Sequence, residues 1–346
     1  GVGNTIFFDG VIAANNRKII GSIDKGLSYI FNKKSDSIIT IFIDNLNSKD
    51  LFPKFSVFSI NGPIELMFLP VENDDNAFIR SDIKLTNANV YIPSITLKKM
   101  KGTYGRLKFD LTKDNESSFE YLQDDVLISG TAIHKSIFEV KSVNYSSIKT
   151  PDIEIRKATF LKFGDHNQFK TTKGTITLSF LKSLSFKKKK TPLDVIFSDV
   201  LVTSDGNVFL DGIKGEIRSF RGLRGYAKTE LLSNSNLEVI ISPSKENGIN
   251  LIISGNNAGE LLRRGGYYKN GYGGSFKASI FYKNKNQIEG SLEIEKFRIK
   301  NAPVLAQIIS SASIIGLLDN LNGNGLLFTK IDGTFIYKEN KLTLKD

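Results

Sequence analysis

The chain has 346 residues, a net charge of +11, 40% apolar residues, and neither cysteine nor tryptophan. Without cysteine there are no disulfide frameworks, zinc ribbons or thiol nucleophiles. The excess of Lys and Arg fits an anionic partner such as nucleic acid or phospholipid headgroups, and fits equally a Lys-, Asn- and Ile-rich composition with no such role.

At this length the chain makes two ordinary domains or one elongated structure, and no proline-rich linker divides it. Its opening, GVGNTIFFDG, reads as mid-domain text with no secretory signal. A targeting segment is therefore expected outside this sequence. Gly21 to Phe31 is ambiguous between helix and strand. Beyond it, period-two alternation recurs almost everywhere. Ile79, Ser81, Ile83 and Leu85 share one face in FIRSDIKLTNAN, and Leu107, Phe109 and Leu111 share one in GRLKFDLT. The acidic pairs Asp74-Asp75 and Asp124-Asp125 lie in turn-like text, which makes them exposed turn residues and poor catalytic carboxylates. The run Lys187 to Lys190 reads as a solvated hairpin tip. RGLRGYAK (Arg221 to Lys228) and RRGGYYKNGYGG (Arg263 to Gly274) mix Arg, Gly and Tyr as nucleic-acid binders do. Strand and turn text with aromatic packing explains both better.

Asn257 to Arg264 forms a short helix candidate, opened by an Asn cap and closed by Gly265-Gly266. In GSFKASIFYK, Phe276, Ala278, Ile280 and Tyr282 alternate with Ser275, Lys277, Ser279 and Phe281. In GSLEIEKFRI the apolar phase slips: Leu292 and Ile294 share a parity that Phe297 and Ile299 do not. A bulge or bend near Glu295-Lys296 would restore a common face. The spacing throughout is that of consecutive antiparallel hairpins with one apolar and one polar face.

The uncharged run Asn301 to Leu318 stands apart. At 100° per residue, Val304, Leu305, Ile308, Ile309, Ala312 and Ile315 fall on one arc, with Asn301 as cap and Pro303 in the first turn. A membrane span is long enough, but Gln307 and three serines interrupt it, and strands flank it on both sides. Core packing and a cap over an apolar cavity both remain open. No constellation of catalytic residues appears: His134 and His166 are the only histidines, and no metal, nucleotide or nucleophile motif accompanies them. The sequence points away from an enzyme and away from any cofactor.

The segment Phe297 to Asp346 closely resembles the C-terminal region of the AsmA-like superfamily of bacterial bridge-like lipid-transfer proteins. The matching features are the FRI…APVLA entry, the SASIIGLL helix centre, the GNGLLF exit and the closing GTF…LTLKD. Upstream, NNAGELLRRGGYYKNGYGG (Asn256 to Gly274) is similar to a family segment that opens on an acidic residue where this chain has Asn, and ISGTAIH (Ile128 to His134) is similar to a family strand. The resemblance is specific over about 250–346, weaker over 125–250 and generic before that.

The resemblance implies a mainly β fold: a long twisted antiparallel sheet curled into a trough, with one or two short helices including an apolar helix near 302–319. It implies a first part at 1–125 and an AsmA-like region at 126–346. It also implies a periplasmic, inner-membrane-anchored protein of a Gram-negative bacterium that serves outer-membrane biogenesis. Such a protein passes phospholipid between the inner and outer membranes, its partners being acyl chains and the membrane surfaces or their proteins, not nucleic acid. The residues expected to line the groove are Phe276, Ile280, Tyr282, Leu292 and Ile294 on strands and Leu305, Ile308, Ile309 and Ile315 on the helix. The rival expectation is a structural or adhesive β-rich surface protein with a closed core.

Overall fold

The computed structural model describes residues 10–14, 17–19, 39–47, 59–69, 77–92, 97–112, 114, 116–136, 139–163, 166–183, 192–220, 222–232, 235–245, 248–284, 287–300, 325–338 and 341–345. Within them the chain is mainly β, with two short helices, and it divides into two units, Gly1–Phe163 and Gly164–Asp346. The expected apolar helix near 302–319 and the ambiguous stretch Gly21 to Phe31 lie outside the described residues, as does the pair Asp74-Asp75.

The first unit contains β1 (Gly10–Ala14), β2 (Arg17–Ile19), β3 (Ile39–Asn47), β4 (Ser59–Leu69), β5 (Ala77–Lys84), β6 (Asn89–Ile92), β7 (Leu97–Lys99), β8 (Arg106–Thr112), β9 (Glu116–Gln123), β10 (Val126–Ser136), β11 (Glu139–Lys149), β12 (Ile153–Ile155) and β13 (Ala158–Phe163). The sequence suggests a boundary at 125/126. Here that point is the tight turn of the β9–β10 hairpin, whose strands pair from Gln123↔Val126 to Glu116↔Ile133, so the division falls later. Asp124, at φ 41°, and Asp125 form that exposed turn, as their sequence context predicts.

The strands pair in the order β2-β1-β3-β4-β5-β8-β9-β10-β11, and β12 and β13 both pair with β11. Paired residues share a face, so register carries the apolar set across the sheet. Leu107, Phe109 and Leu111 oppose Tyr121, Phe119 and Ser117, which in turn oppose Ile128, Gly130 and Ala132. Tyr121, Ile128, Val143 and Ile148 are 0–1% exposed. Burying each such side chain contributes about 1.5–3 kcal/mol.

The β6–β7 hairpin pairs with the first residues of β4 and closes a small core of Leu85, Ala88, Val90 and Ile92. Lys99 reaches into it at 1% exposure. Its Nζ donates to the carbonyls of Ala88 (2.8 Å), Met100 (3.2 Å) and Thr86 (3.3 Å), which offsets much of the cost of burying an amine.

The second unit contains β14 (His166–Thr171), β15 (Gly174–Thr177), α1 (Leu178–Ser183), β16 (Leu193–Ser204), β17 (Asn207–Ser219), β18 (Leu223–Leu232), β19 (Ser235–Pro243), β20 (Ile249–Gly255), α2 (Ala258–Arg264), β21 (Gly271–Asn284), β22 (Gln287–Ile299), β23 (Leu326–Lys338) and β24 (Lys341–Lys345). From β16 to β24 it is the antiparallel meander that the turn spacing predicts.

Its first two strands depart from that expectation, because β14 and β15 pair with β16 in parallel. Parallel strands cannot be joined by a hairpin. The run Lys187 to Lys190, expected to be a hairpin tip, lies outside the described residues.

The phase slip in GSLEIEKFRI resolves as the sequence predicts. It does so as a bend without a change of register: Gly273↔Phe297 and Ser275↔Glu295 stay aligned while Lys296 (φ 54°), Gly273 (φ 62°) and Gly274 (φ 86°) take left-handed backbone, and Ile294 and Phe297 are buried in one cluster. Cross-strand pairs of Gly with Phe recur on the apolar face: Phe197↔Gly215, Gly255↔Phe276 and Gly290↔Phe335. Each ring lies over the neighbouring glycine, so that a Cβ at Gly255 would meet the Phe276 ring at 2.7 Å and the Asn236 carbonyl at 2.6 Å. Gly255→Val is expected to destabilise the chain by about 1–3 kcal/mol through overpacking. Urea unfolding checks this; an unchanged midpoint would show that the ring moves aside freely.

Candidate functional site

The register places all five strand residues predicted to line a groove on one face. Phe276 opposes Ile294, and Ile294 opposes Ile331; Ala278 opposes Leu292; Ile280 opposes Leu251; Tyr282 opposes Ile249 and Ile288. The row continues from Leu251 to Ile241, and from Ala278 through Ile253 and Val239 to Ala227. On the opposite face the same strands carry Ser275, Lys277, Ser279, Glu293, Glu295, Lys330 and Asp332. The sheet of the second unit is therefore apolar on one side from β17 to β23, while the other side is mostly polar and carries the exposed, paired residues Tyr226, Ile240 and Ile252.

Coverage of the apolar side is uneven. Phe276 and Ile294 are 8% exposed, Ile280 and Tyr282 are half-buried, and Leu292 is 36% exposed. The difference comes from α2. Its Ala258, Leu261 and Leu262 pack on Leu237, Phe276, Ile294 and Phe297, at the strand ends nearest Gly271. At the β15–β16 side, Leu178 of α1 packs near Val200, Val202 and Ile213. Between these covers, Val239, Ile241, Leu251, Ile280, Leu292 and Phe335 form a half-exposed apolar strip. The expected lining residues Leu305, Ile308, Ile309 and Ile315 lie outside the described residues. The connection that contains them leaves β22 and enters β23 where Ile299 pairs with Leu326, the same end that α2 covers.

Local sequence explains how α2 is held. Asn257 caps it by accepting from the Glu260 N–H (3.0 Å) and also donates to Ser235 (3.1 Å). At Gly259 a Cβ would lie 2.5 Å from the Tyr272 nitrogen, so only glycine lets the helix approach β21 this closely. Glu260, 8% exposed, accepts from Arg263 (2.6 Å) and Arg264 (2.9 Å), and Arg264 also pairs with Asp211 of β17 (3.1 Å). Burial works to raise the Glu260 pKa, and the two guanidiniums overcome it and hold the carboxyl below its ordinary range. The i+3 and i+4 spacing of this latch is legible in GELLRR, but its cross-chain anchor at Asp211 is not.

The histidines have separate settings. His166 of β14 contacts Asp194 of β16 at 3.0 Å, and Asp194 also receives two 2.7 Å hydrogen bonds from Arg218. Those bonds from Arg218 hold the Asp194 carboxyl below its usual value against the opposing effect of burial, with help from His166. His134 is the last inward residue described on β10, 7% exposed, and its Nε2 lies 2.7 Å from Ser117 Oγ. The Phe109 ring meets it edge-on, with centroids 6.3 Å apart. Its Nδ1 is buried and has no hydrogen-bond partner among the described residues.

Neither setting is a metal site: among the described residues no three His, Asp or Glu side chains converge. Among them, too, no helix is long and apolar enough to cross a membrane. Comparison of the chain with protein-family models, with curated proteins and with solved structures finds no match.

Burial lowers the His134 pKa below the 6.5 of a free imidazole. The unfolded chain thus takes up the proton first, and the stability that the neutral ring retains above pH 6.5 is lost as pH falls through the folded value. On the inward face around it β8 offers Phe109 and Leu111, β9 Ser117, and β11 Val140 and Val143. Urea unfolding at pH 7.5 and pH 5 is expected to show a larger acid loss in the parent than in His134→Leu. Equal losses would place the acid sensitivity elsewhere.

Proposed function

We propose that this chain is a non-catalytic lipid-handling module that shields phospholipid acyl chains on the apolar face of its sheet during transfer between the inner and outer membranes. The observation that carries the proposal is the half-exposed apolar strip of the second unit, continuous from β19 to β23. A soluble sheet that leaves such a strip uncovered needs an apolar partner. Acyl chains fit: each buried methylene contributes about 0.8 kcal/mol, and no directional chemistry is needed. Transfer along a path requires diffuse attraction over many residues, which a row of aliphatic side chains supplies. In this reading the protein acts in the periplasm in outer-membrane biogenesis, takes no cofactor, and meets membrane surfaces or their proteins at its ends.

The first unit favours a second reading. Leu85, Tyr121, Ile128 and Ile148 are closed off at 0–1% exposure, as in a structural or adhesive β-protein whose apolar faces enclose only themselves. The two readings separate by lipid extraction and mass spectrometry of the chain purified without detergent. The parent is expected to carry phospholipid. Leu292→Asp, on the exposed part of the strip, is expected to lose most of it, and Ser279→Asp on the polar face is expected to retain it. A parent free of lipid supports the structural reading, and equal lipid in all three chains removes the strip from the path.

A further inference from the structure

We infer that the end of the second unit's sheet where α2 meets β21 and β22 is a docking surface for an anionic phospholipid membrane, built from Tyr267, Lys269, Tyr272, Arg298, Lys300 and Leu327. The inference rests on the lipid-handling reading above and names the surface by which the second unit meets a bilayer.

The charge comes from two segments that the fold brings together. Residues 263–274 (RRGGYYKNGYGG) and 296–300 (KFRIK) contain six basic residues and no acidic one. Tyr272 pairs with Arg298 and Gly271 with Ile299. The Lys300 N–H donates to the Asn270 carbonyl (2.9 Å), which brings Lys300 to the turn that carries Lys269. Glu260 and Asp211, the carboxylates bound to α2, are taken up by Arg263 and Arg264. The next carboxylate along β22, Glu295, stands opposite Lys330. Lys269, Lys296, Arg298 and Lys300 are therefore left as a positive excess at this end.

Exposed apolar and aromatic groups accompany that charge. On the outward face Tyr272, Arg298 and Leu327 form one cross-strand row, with Tyr272 39% and Leu327 48% exposed. Tyr267 is 70% exposed, yet its ring is held against Gly265, where a Cβ would meet it at 2.6 Å. Tyrosines beside lysines suit the interface of a bilayer: the ring body enters the headgroup layer, the hydroxyl stays wet, and the ammonium groups meet phosphate.

Arg-, Gly- and Tyr-rich text also occurs in nucleic-acid binders, which stack bases on open rings. Here the Tyr272 ring is otherwise engaged, with the Arg263 guanidinium 4.7 Å from its centroid and the Lys300 ammonium 5.0 Å. These cation–π contacts occupy the π surface that a base would need. They also hold two long cationic side chains in place, so less entropy is lost when an anionic surface arrives. The arrangement favours headgroups over bases.

Co-sedimentation of the full chain with vesicles tests the surface. Vesicles of equal parts phosphatidylcholine and phosphatidylglycerol are expected to bind the parent, and vesicles of phosphatidylcholine alone are not. Added sodium chloride is expected to weaken the binding. Lys269→Gln combined with Lys300→Gln should weaken affinity about fivefold per lysine. Tyr267→Ser should weaken it as well. Lys283→Gln combined with Lys338→Gln removes the same charge at the other ends of β21 and β23, and should bind as the parent does. Unfolding midpoints report whether each variant folds. Should Lys300→Gln fail to fold, the exposed positions still decide through Lys269→Gln and Tyr267→Ser. Equal weakening at the two ends makes the attraction one of net charge and overturns the surface. A parent that ignores the anionic vesicles overturns it too, as does one that binds an oligothymidylate in their place. Lipid extraction of the same parent keeps the two readings apart. Co-purifying phospholipid without vesicle binding overturns the surface alone, and vesicle binding by a lipid-free parent overturns the lipid-handling reading alone.

Discussion

Side chains on a strand alternate with period two, and residues paired across a ladder share a face. The register of each hairpin therefore decides whether the apolar set of the next strand joins the same surface or is turned to the other side. In the second unit that choice is made consistently from β17 to β23, through pairs such as Ala227↔Val239, Ile253↔Ala278 and Ala278↔Leu292. Were one hairpin displaced by a single residue, Ser279 and Lys277 would take the places of Ile280 and Ala278, and the apolar surface would be broken. On the polar side, cross-strand pairs of opposite charge favour the same register, for example Glu65 with Lys84 at 2.8 Å and Lys330 with Glu293 at 3.0 Å. Exposed pairs of this kind contribute at most about 1 kcal/mol each. They favour the native alignment over its neighbours more than they hold the sheet together.

A one-sided sheet must also manage its ends. Here α2 covers the strand ends around Phe276, Ile294 and Phe297, and the Glu260–Arg264–Asp211 linkage ties the helix to β17. A buried carboxylate accepting from two guanidiniums is costly to desolvate and costly to break, so it fixes the helix in one position more than it adds net stability. The bend at Lys296 serves the same end of the sheet, because without it Phe297 would point to the polar side and leave α2 without a floor. The Gly–Phe pairs are the complementary device within the sheet: each glycine that weakens a strand is covered by the ring opposite it.

Polar groups that intrude on the apolar faces show two different solutions. Lys99 is fully enclosed and satisfied by backbone carbonyls, which makes it part of the first unit's own architecture. His134 is equally enclosed and half satisfied, through Nε2 alone. An unpaired ring nitrogen is costly to keep, and that asymmetry separates two buried bases of the same unit.

Sequence alone determined the β class, the parity of the apolar residues and several local devices. The faces of Leu107–Leu111 and of Phe276–Tyr282, the α2 cap at Asn257 and the compensating bend at Glu295-Lys296 all follow from period, capping preference and a phase slip visible in the residue string. These are short-range properties, fixed by backbone geometry within a few residues. Tertiary structure decided the rest because it depends on pairs far apart in the chain. The parallel entry of β14 and β15 beside β16, the covering of Phe276 and Ile294 but not Leu292, the Arg264–Asp211 anchor and the contact between Ser117 and His134 each require a specific register between strands. Alternation tells which side a residue faces, but only the assembled ladder tells what stands opposite it and how much of it water still reaches.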